Sequence, residues 1–569
     1  MEGLFRTFGG LFLALVPLGM SLLGRVAWTQ EEPIPHRWFY ASHNLLVDEN
    51  VRELIGIMER AAAVGYNGLL LADFKFNILD RMDDHYFQNV AQVQEAARRL
   101  GLEIVPAVFP IGYSEGILAH NPNLAAGVPV RGAEFVVREG VAVLDPAPVD
   151  LENGDFEAYR GHRLEGWGFH DAPGEITFID TATVKSGRAS LRMENIRRYS
   201  PEHGNARVSQ EMELIPFRQY RLSFWIKTEG FDRPDRVRAT LLTEDGRNLT
   251  PVDLRVRETQ DWTLQNVVFN SLNYDRARLY LGVWGGNVGK LWLDGVRIEE
   301  IGPLHILRRE GCPLTVVGED GTVYEEGRDF EPLKDPQLAE IGYHEPPVLR
   351  LTESSRIAEG ERLRVSYYHS LHIYWGQVPC SLNHPEVFRI LEDQARRVQA
   401  LFSPRAFWMS HDEIRIAGWD ELERRSGKTP GQLLAENVRR CVEILRSVNP
   451  EARIYVWSDM FDPYHNATER TNYYLVNGSW AGSWEGLPPE VIVANWYFQR
   501  RRENMPFFAQ RGHRQLLAGY YDGDPSRIAL WIADARELNV PLDGVMYTTW
   551  RRNYTDLEAF AQAAWGKRP

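Results

Sequence analysis

The chain has 569 residues, more than one apolar core can serve, so roughly two to four domains are expected. With 44% hydrophobic and 25% charged residues, its make-up is that of a soluble globular protein rather than a fibrous or disordered one. A net charge of -14 and the lack of a basic stripe exclude a partner bound through phosphate neutralisation, so no nucleic acid is expected. Cys312, Cys380 and Cys441 are too widely spaced for a disulfide framework or a metal-ligand motif. The 17 Trp and 23 Tyr offer flat faces on which sugar rings stack, although a large core also uses them.

Arg6 precedes an apolar stretch from Phe8 to Leu23, and Gly24 and Ala27 supply small residues after it. This is the order of a secretory signal peptide. Pro17 and several glycines make the stretch a poor membrane span. Residues 1–30 are therefore expected to be a cleaved leader, and the folded part secreted or periplasmic with no stable membrane insertion.

From Trp38 the pattern is strand, helix, strand. Arg37 to His43 is an aromatic strand, and Val51, Leu54, Ile55, Met58 and Ala61 recur at helical spacing. Leu69-Leu70-Leu71-Ala72 is a continuous apolar run ending in Asp73, as expected of a parallel strand covered on both faces. A second helix from about Tyr86 to Leu100 and a third strand from Glu103 to Phe109 continue the rhythm.

The rhythm breaks after Asn121. Short alternating runs such as Tyr220 to Ile226, Arg278 to Trp284 and Lys290 to Asp294 are separated by turn residues, the signature of a β-sandwich. Asn153-Gly154-Asp155-Phe156-Glu157, Ser190-Leu191-Arg192-Met193 and Leu291-Trp292-Leu293-Asp294-Gly295-Val296 resemble carbohydrate-binding modules of the family 4/9 type, over about Leu151 to Ile301. That resemblance implies a structural calcium near the chain ends of the module, with Glu157 and Asp294 as its candidate ligands. A further β-rich piece runs from Leu304 to Tyr368, with a tight turn at Asp320-Gly321.

The βα rhythm resumes at Pro385. A helix from Glu386 to Leu401 leads to an apolar strand, Ala406-Phe407-Trp408-Met409, that ends in Ser410-His411-Asp412-Glu413. Four more strands follow, near 453–459, 491–496, 515–521 and 544–550. Three strands before the break and five after it give the count of a (β/α)8 TIM barrel, an α/β fold interrupted after strand three. The expected boundaries are 31–134 and 371–569 for the barrel, 135–303 for the sandwich and 304–370 for the small β-rich module.

In such barrels the active site lies at the C-terminal ends of the strands. Here those ends carry His43, Asp73, Asp412, Glu413, Asp459, Trp496, Tyr520, Tyr521 and Trp550. Any one of these reads as a core or turn residue; the whole ring does not. Carboxylates walled by aromatic rings are what glycosidic cleavage needs, since one acid protonates the leaving oxygen and an anion stabilises the anomeric cation.

The strand ending in Asp412-Glu413, together with Trp457-Ser458-Asp459-Met460, Asn495-Trp496 and Thr548-Thr549-Trp550, resembles glycoside hydrolase family 20, the β-N-acetylhexosaminidases. The resemblance implies Glu413 as acid/base and Asp412 as partner of the substrate's acetamido group. Trp496 and Trp550 would wall the sugar, and Tyr521 or Tyr520 would bond the acetamido oxygen. Apart from the resemblance, their places at the strand ends make His43, Asp73, His411 and Asp459 further candidates for the substrate site. No cofactor is implied for catalysis. Ser410-His411 stands where the family has two glycines, and the first and third strands lack its sugar-gripping residues.

Three other readings stay open. Glu413 could act as acid with Asp459 or Asp73 as base or nucleophile, on a glycan without acetamido groups. His411, Asp412, Glu413 and Asp459 could hold a metal, although adjacent strand residues face opposite sides. Or the barrel could bind an oligo- or polysaccharide without cleaving it.

Overall fold

The computed structural model describes residues 33–199 and 204–566; the expected signal peptide lies outside the described residues. Eight parallel strands close into a barrel in chain order: β1 (His36–Ser42), β2 (Gly68–Ala72), β3 (Glu103–Val108), β4 (Ala406–Met409), β5 (Arg453–Trp457), β6 (Ile492–Asn495), β7 (Gln515–Tyr520) and β8 (Leu542–Thr548). β8 returns to β1 through pairs such as Trp38 with Met546. β3 and β4 pair directly, Ala107 opposite Trp408, although the whole insertion separates them in sequence.

The strands alternate as a pleated chain must. Trp38, Leu70, Trp408, Tyr455, Ala494, Ala518 and Met546 point inward and fill the barrel, with Trp408 stacked on Tyr455 at 5.7 Å and an interplanar angle of 3°. Phe407 and Met409 point outward to the helices. These include α1 (Asp48–Ala63), α2 (Asp84–Leu100), α3 (Pro385–Phe402) and α4 (Pro430–Val448). Local chemistry sets their ends. Asp83 caps the first turn of α2 and left-handed Gly101 stops it; Thr429 and Gln432 form a capping box on α4.

Between β3 and β4 lie three further sheets of several strands. A five-stranded sheet, from Gln260–Asn270 at one edge to Thr177–Asp180 at the other, and a four-stranded sheet containing Arg276–Gly286 share one apolar core that includes Leu191, Phe224, Leu281 and Leu293. A six-stranded sheet pairs Arg362–His369 with both Thr315–Gly318 and Val128–Arg138. The boundary expected at residue 134 thus falls inside a strand. Residues 128–144 pair with the small β-rich module, which is built from chain on both sides of the larger pair of sheets. The signal was ambiguous because a strand records its period and not its partner.

The insertion is not hung on a free linker. Ile416, Trp419 and Leu475, from loops above the barrel, are buried in the core of the two larger sheets. A buried ion pair, Arg309 to Asp420 at 2.8 Å, ties the insertion to the loop after β4. Among the described residues, no helix is long and apolar enough to cross a membrane.

Candidate active site

Above the aromatic plug, at the C-terminal ends of the strands, lies a cavity of about 620 Å³. Strand alternation explains much of its lining. Counting from inward Trp408, Ser410 and Asp412 are also inward and line the cavity. His411 takes the outward direction, is fully buried, and its Nε2 meets Asn437 Oδ1 on α4 at 3.1 Å. Glu413 should also turn outward, but β4 has ended and its backbone is left-handed, with φ +48°. Both adjacent carboxylates therefore face the same cavity, unlike the opposite-face expectation. Phe109, Tyr520 and Tyr521 are likewise non-glycine residues with positive φ where strands end. Such strain persists only where surrounding packing imposes it.

The Glu413 carboxylate is held by two partners. Arg415 Nη2 is 2.7 Å from its Oε2, and the Tyr113 hydroxyl donates to the same oxygen. Arg415 is fixed in turn by Gln377 Oε1 and packs against the Tyr474 ring at 5.0 Å. Gln377 Nε2 donates to the backbone carbonyls of Gly112 and Glu413, both at 2.9 Å, stitching the loop after β3 to the loop after β4.

Among the described residues Asp412 makes no such ion pair, and the Arg415 charge only partly offsets its desolvation. Burial raises its carboxyl well above the ordinary range, and the charges of Asp459 and Glu413 raise it further. Asp459 lies fully buried beneath Glu413. Its Oδ2 accepts the Glu413 N–H at 2.9 Å and Asn466 Nδ2 at 3.0 Å, and its Oδ1 accepts Trp496 Nε1 at 3.4 Å. Those donors favour the anion, yet burial outweighs them and pushes the group up to about 7.

Aromatic rings form the wall. Trp496 stacks on Tyr521 at 5.0 Å and 7°, and Trp457, Trp550 and Tyr40 continue the surface. Among the described residues, the buried Tyr521 hydroxyl has no acceptor for its proton. Trp550 is 47% exposed and Trp375 82% exposed, so both are rim residues.

The expected residues divide accordingly. Asp412, Glu413, Asp73, Trp496, Tyr521 and Trp550 line the cavity, and Asp459 supports it from behind. Asp73 is largely engaged elsewhere, accepting from Leu45 N–H at 2.9 Å, Lys75 N–H at 3.0 Å and the Tyr86 hydroxyl at 3.0 Å. His43 and His411 do not line the cavity; burial pulls each imidazole down to about 4, so both are neutral near pH 7. Tyr520 is turned away, bonded to Asp556 Oδ2 at 2.9 Å and stacked on Tyr547. Sequence reasoning missed Tyr113, Glu115, Trp375, Gln377 and Arg415. Arg415 carried a signal, a cation two residues past the acidic pair; the others come from distant loops. Burial also raises the carboxyl of Glu115, on the cavity wall.

In the insertion, Glu157 accepts from the Arg188 and Ala189 amides at 2.6 and 3.1 Å, and Asp294 from the Lys185 and Ser186 amides at 2.8 and 3.0 Å. Both carboxylates brace one loop, and the calcium reading rests on the resemblance alone.

Comparison with known proteins defines one part of the chain. Residues 151–287 match the family model CBM_4_9, described as a carbohydrate binding domain. No curated protein matches. Among solved structures, TmCBM61 in complex with beta-1,4-galactotriose is 18% identical with a TM-score of 0.20, covering 27% of this chain and 98% of that one. The rhamnosidase from Novosphingobium sp. PP1Y is 12% identical with a TM-score of 0.32, covering 91% of this chain and 55% of that one. The Flavobacterium johnsoniae chitobiase FjGH20 is 16% identical with a TM-score of 0.25, covering 33% and 30%. The chain thus carries a carbohydrate-binding domain beside its closed parallel barrel.

Proposed function

We propose that this chain is an exported glycoside hydrolase, a (β/α)8 barrel interrupted after strand three by a carbohydrate-binding β-sandwich and a smaller β-rich module. One observation carries the reading: two adjacent carboxyl groups, Asp412 and Glu413, face a single cavity of about 620 Å³ walled by tryptophan and tyrosine. That size suits a sugar ligand. The aromatic wall supplies stacking faces and excludes water from the reacting carbon.

In the proposed reaction on a β-N-acetylhexosaminide, Glu413 protonates the departing glycosidic oxygen. Asp412 receives the acetamido N–H and steadies the positive charge as the acetamido oxygen attacks the anomeric carbon. Tyr521, with a hydroxyl proton to give, bonds that oxygen. Glu413 then takes a proton from the attacking water.

The resting electrostatics favour a second assignment on a glycan without acetamido groups. Glu413 Oε2 pairs with Arg415 and accepts from the Tyr113 hydroxyl. Asp412, desolvated between two carboxylates, favours the neutral acid. Asp412 would then be the proton donor and Glu413 the anion that meets the anomeric cation. Asp459 and Asp73 suit neither base nor nucleophile, because the first is buried beneath the site and the second is bound by three donors.

Glu413→Gln and Asp412→Asn, assayed on aryl glycosides of good and poor leaving ability, test the reading. Each substitution should lower kcat on poor leaving groups by about 10²–10⁴-fold. The variant lacking the proton donor should recover on activated leaving groups, and that identifies the donor. Unchanged hydrolysis in both variants, or no hydrolysis by wild type of any glycoside or polysaccharide, would remove the enzyme reading.

A further inference from the structure

Away from the cavity, three stretches of the insertion converge on a second cluster. His305 leaves the five-stranded sheet, Asp335 and His344 lie in a segment with no regular strand, and His372 follows the strand Arg362–His369. One ligating atom from each of His305, Asp335 and His344 lies within 4.8 Å of the others. His344 Nε2 is 3.0 Å from both Asp335 oxygens. Two amides fix the carboxylate, His305 N–H at 2.7 Å and Gln337 N–H at 2.9 Å. The His305 and His372 rings meet edge to face at 4.8 Å.

A hydrogen-bonded structural cluster would satisfy its own polar atoms. This one does not. His305 is only 2% exposed, and among the described residues its Nε2 has no hydrogen-bond partner. A buried imidazole nitrogen left alone is costly unless something supplies a bond. His305 also holds a left-handed backbone, φ +55°, so local preference does not explain its position.

We infer that His305, Asp335 and His344 bind one divalent transition-metal ion of the zinc class. Two imidazoles and a carboxylate form a nitrogen-rich set that suits zinc, whereas calcium and magnesium want oxygen. Tetrahedral zinc with bonds of about 2.0–2.1 Å needs ligand atoms about 3.4 Å apart, a contraction that side-chain rotation can supply. The ion displaces the proton shared by His344 and Asp335, which leaves to solvent, and gives His305 Nε2 its missing partner. The amides on Asp335 act as the outer hydrogen bonds that orient a metal-binding carboxylate. The site has a structural purpose. It fastens a strand-free segment, through Asp335 and His344, to His305, whose ring packs on His372 in the chain leading to Trp375 and Gln377 at the rim and support of the cavity.

The test uses the full-length untagged protein, stripped with chelator and titrated with zinc against a chromophoric competitor. Wild type should take up one equivalent and gain thermal stability, with no gain from calcium or magnesium. Cobalt in place of zinc should give visible d–d bands. His344→Gln, at the more exposed ligand, should weaken uptake at least 10-fold. The proposal is overturned if wild type takes up no stoichiometric zinc and shows no cobalt bands, if calcium or magnesium gives the stabilisation instead, or if folded His344→Gln binds as wild type does. The wild-type titration decides even where a variant fails to fold.

Discussion

Asp459 shows how burial and hydrogen bonding compete at one residue. Its folded-state value near 7 lies above the ordinary 3.8 of an exposed aspartate. Between about pH 4 and 7 the folded protein therefore retains a proton that the unfolded chain has lost. The group favours folding most below about pH 4, and that contribution is lost as pH rises toward 7. The slope is at most about 1.4 kcal/mol per pH unit. Asp459→Asn should flatten this slope, so urea midpoints of wild type and variant should diverge between pH 4.5 and 7.5. Equal pH dependence in both would show that another group holds the proton. Residues of this kind were legible to differing degrees. Asp412, Trp496 and Trp550 follow from counting inward positions along strands. His411 and Tyr520 were misassigned, the first because an outward residue also ends a strand, the second because its φ of +77° breaks the alternation. Tyr113 and Gln377 have no sequence signal, since their role depends on loops meeting across the barrel mouth.

At the scale of elements, the loop after β3 is held against the loop after β4 by a very close backbone approach. A Cβ built on Gly112 would lie 1.9 Å from the Asp412 carbonyl oxygen. Backbone cannot yield there as a flexible side chain could, so only glycine fits. Gly112→Ala should push Asp412 and Glu413 out of line. We expect kcat to fall at least 10-fold, with a smaller change in KM, while far-ultraviolet circular dichroism stays unchanged. Wild-type kinetics in that variant would mean that the two loops are not rigidly joined. All eight barrel strands were legible, because an apolar run followed by helical spacing is a local signal. The pairing of 128–144 with 362–369 was not. It is a long-range choice between two β-rich neighbours, and alternation reads the same in either sheet.

For the whole molecule, the shared core around Trp419 has thermodynamic consequences. Ile416, Trp419 and Leu475 are at most 5% exposed because the inserted sheets cover them. Removing 145–301 would bare this apolar surface, and the remaining chain should aggregate or melt at markedly lower temperature. By the same reasoning, calorimetry of the intact protein should give one cooperative transition; two well-separated transitions would mean that the barrel and the sheets are energetically independent.

The coupling reaches the rim. The Trp375 backbone N–H donates to Asp253 Oδ2, on the inserted sheets' side, at 3.1 Å. The most exposed ring at the opening is thus moored to the domain that matches the carbohydrate-binding family. Under the proposed function, a long glycan gripped by that domain and threaded toward the barrel would pull on the mooring, so the width of the doorway would depend on how the distant grip is loaded.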